Sequence, residues 1–217
     1  MLLRRMQAEL AAVYATPLGY DVYDYLITDR TLAATLTPES APSQNLERVL
    51  VSSSTDDVLL SLYIDETVLN HLGLDDPTQS LHAGNLAEFL IAFEGVSHLH
   101  YLIWNATHDT AVSLFEIELQ AEVDKYVACA RILGRHTANA IPAELHEVLF
   151  EHVSFDTALS TEARTRYHEA NYFAAKYCAD LRRRFPAHHW QPSFLRELRA
   201  FYRLSQNQKI SRIRALN

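Results

Sequence analysis

The chain reads as an α+β protein: a small N-terminal antiparallel sheet of about three strands, followed by a mainly α-helical bundle. Three observations predict this. Runs of β-branched and aromatic residues are concentrated in the stretch from residue 20 to residue 64. Beyond Asp65, apolar residues recur at three- and four-residue spacing, the period of a helix with one buried face. Glycine occurs only 5 times in 217 residues, which suits long helices and leaves little material for phosphate-cradling loops.

The elements follow in order. "MLLRRMQAELAAVYATP" predicts a short amphipathic helix, because Gln7 and Glu9 interrupt the apolar run that a signal peptide needs. "YDVYDYLIT" (20–28) predicts a strand, and "TPESAPSQN" (37–45) a surface loop. "RVLVSSS" and "VLLSLYI" flank Thr55, Asp56 and Asp57, a hairpin turn by composition. In the second strand, Val58, Leu60, Leu62 and Ile64 alternate with Leu59, Ser61 and Tyr63, so both faces are mostly apolar and the strand is central or covered on both sides. A short helix then stops at Gly73. Asn85 with Glu88 resembles a capping box opening a helix to about Asn105, and Asp109 is placed to cap the next, which runs to about Gly134. Pro142 opens a short helix, Ser160 a long one ending before Pro186, and Pro192 the C-terminal helices.

Composition bounds the class. With 48% hydrophobic and 21% charged residues, the chain buries a core without staples. Cys129 and Cys178 show no metal or redox spacing and read as buried thiols in a reducing, cytoplasmic setting. No run approaches the ~18 apolar residues of a membrane span. Residues 1–160 form an acidic sheet-plus-helix body, and 161–217 a basic helical segment packed on it as one domain. The basic segment holds twelve Lys/Arg between Arg164 and Arg214, against Glu162, Glu169, Asp180 and Glu197, within a chain of net charge −8. Aromatic residues are interleaved with those arginines, a combination that suits an anionic partner. The candidate contact is "RRRFPAHHWQP", with Arg182, Arg183, Arg184 and Trp190 meeting an acidic protein or nucleic acid.

A second candidate lies in "EGVSHLHYLIWN" (94–105). Most of this helix is apolar around its circumference, but Glu94, His98, Tyr101 and Asn105 form a narrow polar stripe. The following helix carries Glu118 and Glu122 one turn apart, which repel unless a cation sits between them: Lys125, an arginine, protonated His98 or a metal. A short connection makes the two helices antiparallel neighbours. Glu94, His98, Tyr101, Glu118 and Glu122 therefore outline a ligand groove, and His98, Glu118 and Glu122 a metal or acid–base set, since carboxylates and imidazole on facing helices are how bundles hold metals. The spacings are ExxxH and ExxxE, not HExxH or paired ExxH. His100, on the apolar side, reads as a core histidine bonded to a backbone carbonyl.

"RILGRH" (131–136) has R-x4-H spacing and resembles the short motif of HEPN-type ribonucleases. That resemblance implies acid–base chemistry on RNA by Arg131 and His136. There is no P-loop, GxGxxG, GxSxG or kinase set, and no motif indicates a cofactor. Three functions follow as expectations. The first is an accessory or regulatory binding protein acting through its basic C-terminal surface. The second is a small metal-dependent or acid–base enzyme using the Glu/His seam. The third is a HEPN-like ribonuclease module.

Overall fold

The computed structural model describes residues 1–36, 45–53, 58–135, 142, 144–153, 159–186 and 191–216. A three-stranded sheet, β1 (Leu26–Ile27), β2 (Glu47–Ser53) and β3 (Val58–Ile64), has the order β1-β3-β2. The α+β class holds, but the sheet is mixed: β2 pairs antiparallel with β3, while β1 runs parallel to it, Leu26 opposite Leu62. The predicted first strand shrinks to two residues for a local reason. Asp21 accepts from the Tyr23 amide and winds Val22–Asp24 into a 3-10 turn, and only the chain beyond it reaches β3.

β3 is central and covered on both faces, as its two-sided hydrophobicity predicts. Leu62 and Ile64 join the main core beneath α4 (Leu86–Ala106). Tyr63 packs on the other face with Leu50 and Ala33, the last from α2 (Arg30–Thr35). Helix α2 went unpredicted; Asp29 caps it by accepting from Thr31 and Leu32. Gly95 is what lets α4 lie against the sheet. A Cβ there would stand 2.7 Å from Glu47 Cγ and 2.8 Å from Leu62 Cδ1.

The remaining helices are α1 (Leu2–Tyr14), α3 (Glu66–Leu74), α5 (Leu114–Gly134), α6 (Leu145–Phe150), α7 (Thr161–Arg184), α8 (Pro192–Tyr202) and α9 (Gln206–Arg214). Two caps differ from expectation. Asn85 ties down the preceding loop, accepting from His82 N and donating to Ser80 O, instead of capping α4. Asp109 takes a left-handed turn (φ 51°), and Ser113 caps α5 by accepting from Glu116 N. Ser160 caps α7 as predicted.

Helices α4 and α5 are antiparallel, as shown by cross-contacts that run in opposite senses: Tyr101 with Glu116, Ser97 with Asp124, Glu94 with Lys125. The C-terminal helices share one core with the rest. Tyr14 stacks on Tyr202 and Tyr177 on Phe201 at centroid distances of 4.0 and 3.9 Å. Arg199 of α8 and Arg203 just beyond it donate to the last carbonyls of α1, at Ala12, Val13 and Tyr14. One described helix, α4, is long and apolar enough to cross a membrane by length and composition alone, but 56% of that window is buried inside the fold, so the described residues hold no clear transmembrane segment.

Candidate metal centre

Where α4 crosses β2 and α5, seven charged side chains meet. β2 brings Glu47, α4 brings Glu94 and His98, α5 brings Glu118, Glu122 and Lys125, and α7 brings Arg166. His98 is clamped. Its Nδ1 lies 3.3 Å from Glu47 Oε1, and its Nε2 3.4 Å from Glu118 Oε2. Lys125 Nζ bridges Glu94 and Glu122, donating to each at 2.8 Å. Arg166 Nε approaches the other Glu118 oxygen at 3.9 Å. Glu47, His98, Glu118 and Lys125 keep only 9–12% of their side-chain exposure, while Glu94 keeps 24% and marks the open edge.

The electrostatics follow from burial and charge count. Burial penalises the imidazolium of His98, but Glu47 and Glu118 outweigh it and hold the ring well above its ordinary pKa. Burial raises the Glu47 carboxyl, partly offset by His98. It raises Glu122 as well, partly offset by Lys125. For Glu94 the nearby charges of Lys125 and His98 overcome burial and lower the pKa. Burial, reinforced by the charges of Glu118, Glu94 and Glu47, lifts the Tyr167 phenol, so α7 presents this ring near the cluster too.

One donor atom each from Glu47, Glu94 and His98 lies within 4.8 Å of the others. Two nitrogens, His98 Nε2 and Arg166 Nε, are buried without a hydrogen-bond partner among the described residues.

The seam is thus assembled around His98, Glu118, Glu122 and Glu94 as the pattern suggests, with two changes. The partner of His98 across α5 is Glu118, whereas Glu122 pairs with Lys125. Tyr101 leaves the groove: its hydroxyl is buried, donates to Glu116 at 2.7 Å and accepts from Lys209 at 2.8 Å. Asn105 likewise turns inward and donates to Tyr101 O. Three members were not singled out in the sequence: Glu47, Arg166 and Tyr167. Glu47 carried a signal, since it shares the inward face of β2 with Val49 and a carboxylate on an apolar strand face calls for a partner.

A second buried network lies one helix face away. Asp124 accepts from Tyr14, Ser97 and Gln120, while Lys209, wholly buried, donates to Tyr101 and to Gln120 Oε1 at 2.9 Å. Burial pushes Asp124 up to about 6 and Lys209 down to about 7. His100 is a core histidine, but its partners are the hydroxyls of Thr16 and Tyr20 instead of a carbonyl.

Most arginines of the basic segment take internal partners. Arg183 and Arg184 pair with Asp180, Arg184 and Arg212 with Glu197. Arg182 also interacts within the fold. Trp190 lies outside the described residues. So does His136, while Arg131 pairs with Glu9 at 2.5 Å. Comparison with protein-family models, curated proteins and solved structures returns no match.

Proposed function

We propose that the protein binds a divalent transition-metal ion through Glu47, Glu94 and His98, and that this centre serves water-activating, hydrolytic chemistry. The carrying observation is the convergence of those three donors from a strand and a helix. The spacing supports it. Ligands about 2.0–2.1 Å from a tetrahedral ion stand about 3.3 Å apart, and His98 Nδ1 and Glu47 Oε1 are 3.3 Å apart. That separation is long for a charge-assisted hydrogen bond. Glu118 Oε2, 3.4 Å from Nε2, stands where it would take that N–H and fix the tautomer, the role a carboxylate plays behind a ligating histidine.

The charge count supports it as well. Four carboxylates (Glu47, Glu94, Glu118, Glu122) face Lys125 and Arg166, leaving two negative charges. A proton on His98 cancels one of them; a divalent ion on neutral His98 cancels both. With three protein ligands, a fourth position at the Glu94 edge would be open to water, with Glu122, whose carboxyl burial raises, at hand to take a proton and Lys125 staying charged between Glu94 and Glu122.

A partner-binding role for Arg182, Arg183, Arg184 and Trp190 has less support, because Asp180 and Glu197 already engage the arginines at 183 and 184.

Calorimetric titration of the metal-stripped protein with Zn2+ tests the proposal. One ion binds per chain, His98→Ala abolishes binding, and Glu118→Gln weakens it roughly 10–100-fold, with circular dichroism unchanged. Absence of stoichiometric binding at neutral pH, or binding indifferent to both substitutions, overturns it.

A further inference from the structure

On the other side of the α4–α5 pair, α1, the start of α4, the end of α5 and the turn at Thr78–Gln79 enclose a cleft of about 460 Å³. This is within the range of small-molecule sites. Arginines reach its wall from separate places: Arg5 from α1, Arg131 from the last turn of α5, and Arg135 from just beyond it. Phe89 and Phe93, rings 5.4 Å apart and almost wholly buried, lie beneath it as part of the core.

We propose that this cleft binds a small molecule bearing a phosphate or carboxylate group. The lining holds three guanidinium groups and a single carboxylate, Glu9. Glu9 is ion-paired with Arg131 at 2.5 Å, and Arg5 with Asp76 at 2.6 Å, so both guanidinium planes are held in place. Burial raises the Glu9 carboxyl while the charges of Arg131 and Arg135 pull it back, which puts both arginines close to the same point. Arg135 donates to Thr78 O at 3.4 Å and closes the cleft over the turn. A planar guanidinium presents paired donors that match the oxygens of phosphate and carboxylate alike.

A long polyanion is disfavoured, because Glu9 and Asp76 adjoin the arginines and the chain carries net charge −8. The site is independent of the metal centre, since it uses α1 and the opposite faces of α4 and α5.

Calorimetric titration of the metal-stripped protein in chelator-free buffer, with pyrophosphate, adenosine monophosphate and citrate as probes, tests this. At least one probe saturates the protein. Arg135→Glu and Arg5→Gln each weaken that probe at least about tenfold, one lost charge-assisted contact, whereas Arg4→Gln, on α1 but outside the cleft and paired with Asp21, leaves it unchanged. Preference for the phosphate probes or for citrate identifies the head group. Failure of all three at about 10 mM, affinity indifferent to both cleft substitutions, or binding of single-stranded RNA alone overturns the inference.

Discussion

Lys209 offers a quantitative test of how the helical half is held together. Its side chain is wholly buried, donates to Tyr101 Oη and Gln120 Oε1, and lies 3.8 Å from Glu116. Burial lowers its pKa to about 7, the charges of Glu116 and Asp124 recovering only part of the cost. A lysine in the unfolded chain titrates near 10.4. Between about 7 and 10.4 the unfolded state therefore binds more protons than the folded state, and stability rises with pH across that window. Each pH unit contributes at most about 1.4 kcal/mol, and half the folded lysines are neutral already at pH 7. The rise from pH 7 to pH 9 is then about 2 kcal/mol.

Other groups titrate in the same window, so the measurement is a difference. Lys209→Met keeps the length of the side chain and removes the charge. Urea unfolding followed by circular dichroism, on both proteins at pH 7, 8 and 9, gives two stability curves. The variant is favoured most at pH 7, and its advantage over the parent shrinks by about 2 kcal/mol by pH 9. Two curves parallel within about 0.5 kcal/mol would refute the reasoning.

His100 tests the opposite side of neutrality. Burial lowers it to about 4, so the fold gains from a neutral ring above the unfolded pKa and loses that gain as pH falls from about 6.5 towards 4; the loss relative to His100→Asn is about 2 kcal/mol by urea unfolding between pH 6.5 and 4.5. At Gly95, an alanine would press its Cβ into Glu47 and Leu62. Gly95→Ala should cost about 1–3 kcal/mol and weaken Zn2+ binding together with it, read as a lower melting temperature and a larger Kd.

Much of the fold was legible because it rests on local signals. The ends of α4 and α7 and the two-sided burial of β3 follow from periodicity, from Ser160 and Pro186, and from alternation. What escaped depended on partners distant in sequence. Nothing in "YDVYDYLIT" says that only its last residues find an edge of β3 to pair with. Nothing in Asn85 says that its amide holds Ser80 instead of a helix end. The site was half visible for the same reason. Residues 94, 98, 118 and 122 share helical faces and could be placed by angle, whereas Glu47 and Arg166 reach His98 and Glu118 from segments 51 and 48 residues away. The arginines of the basic segment illustrate the converse: a charge excess visible in the sequence is engaged in the fold by acids and carbonyls that composition cannot assign.

The two buried polar networks on the α4–α5 pair separate a structural role from a binding one. Around Asp124 the donors of Tyr14, Ser97, Gln120 and Lys209 all find acceptors, and the residues come from four helices. Such a network ties elements together, and an apolar replacement of matching shape would cost it little. Around His98 the same helices leave two buried nitrogens without hydrogen bonds and gather four carboxylates where two cations and a proton leave one negative charge over. Desolvating that excess is unfavourable for a purely structural cluster, because every buried charge must be matched. A bound divalent cation would remove the imbalance and take up His98 Nδ1, with Glu118 the nearest acceptor for Nε2–H. The prediction that separates the two networks is that Zn2+ raises the melting temperature of the parent protein and of Lys209→Met alike, and of His98→Ala not at all.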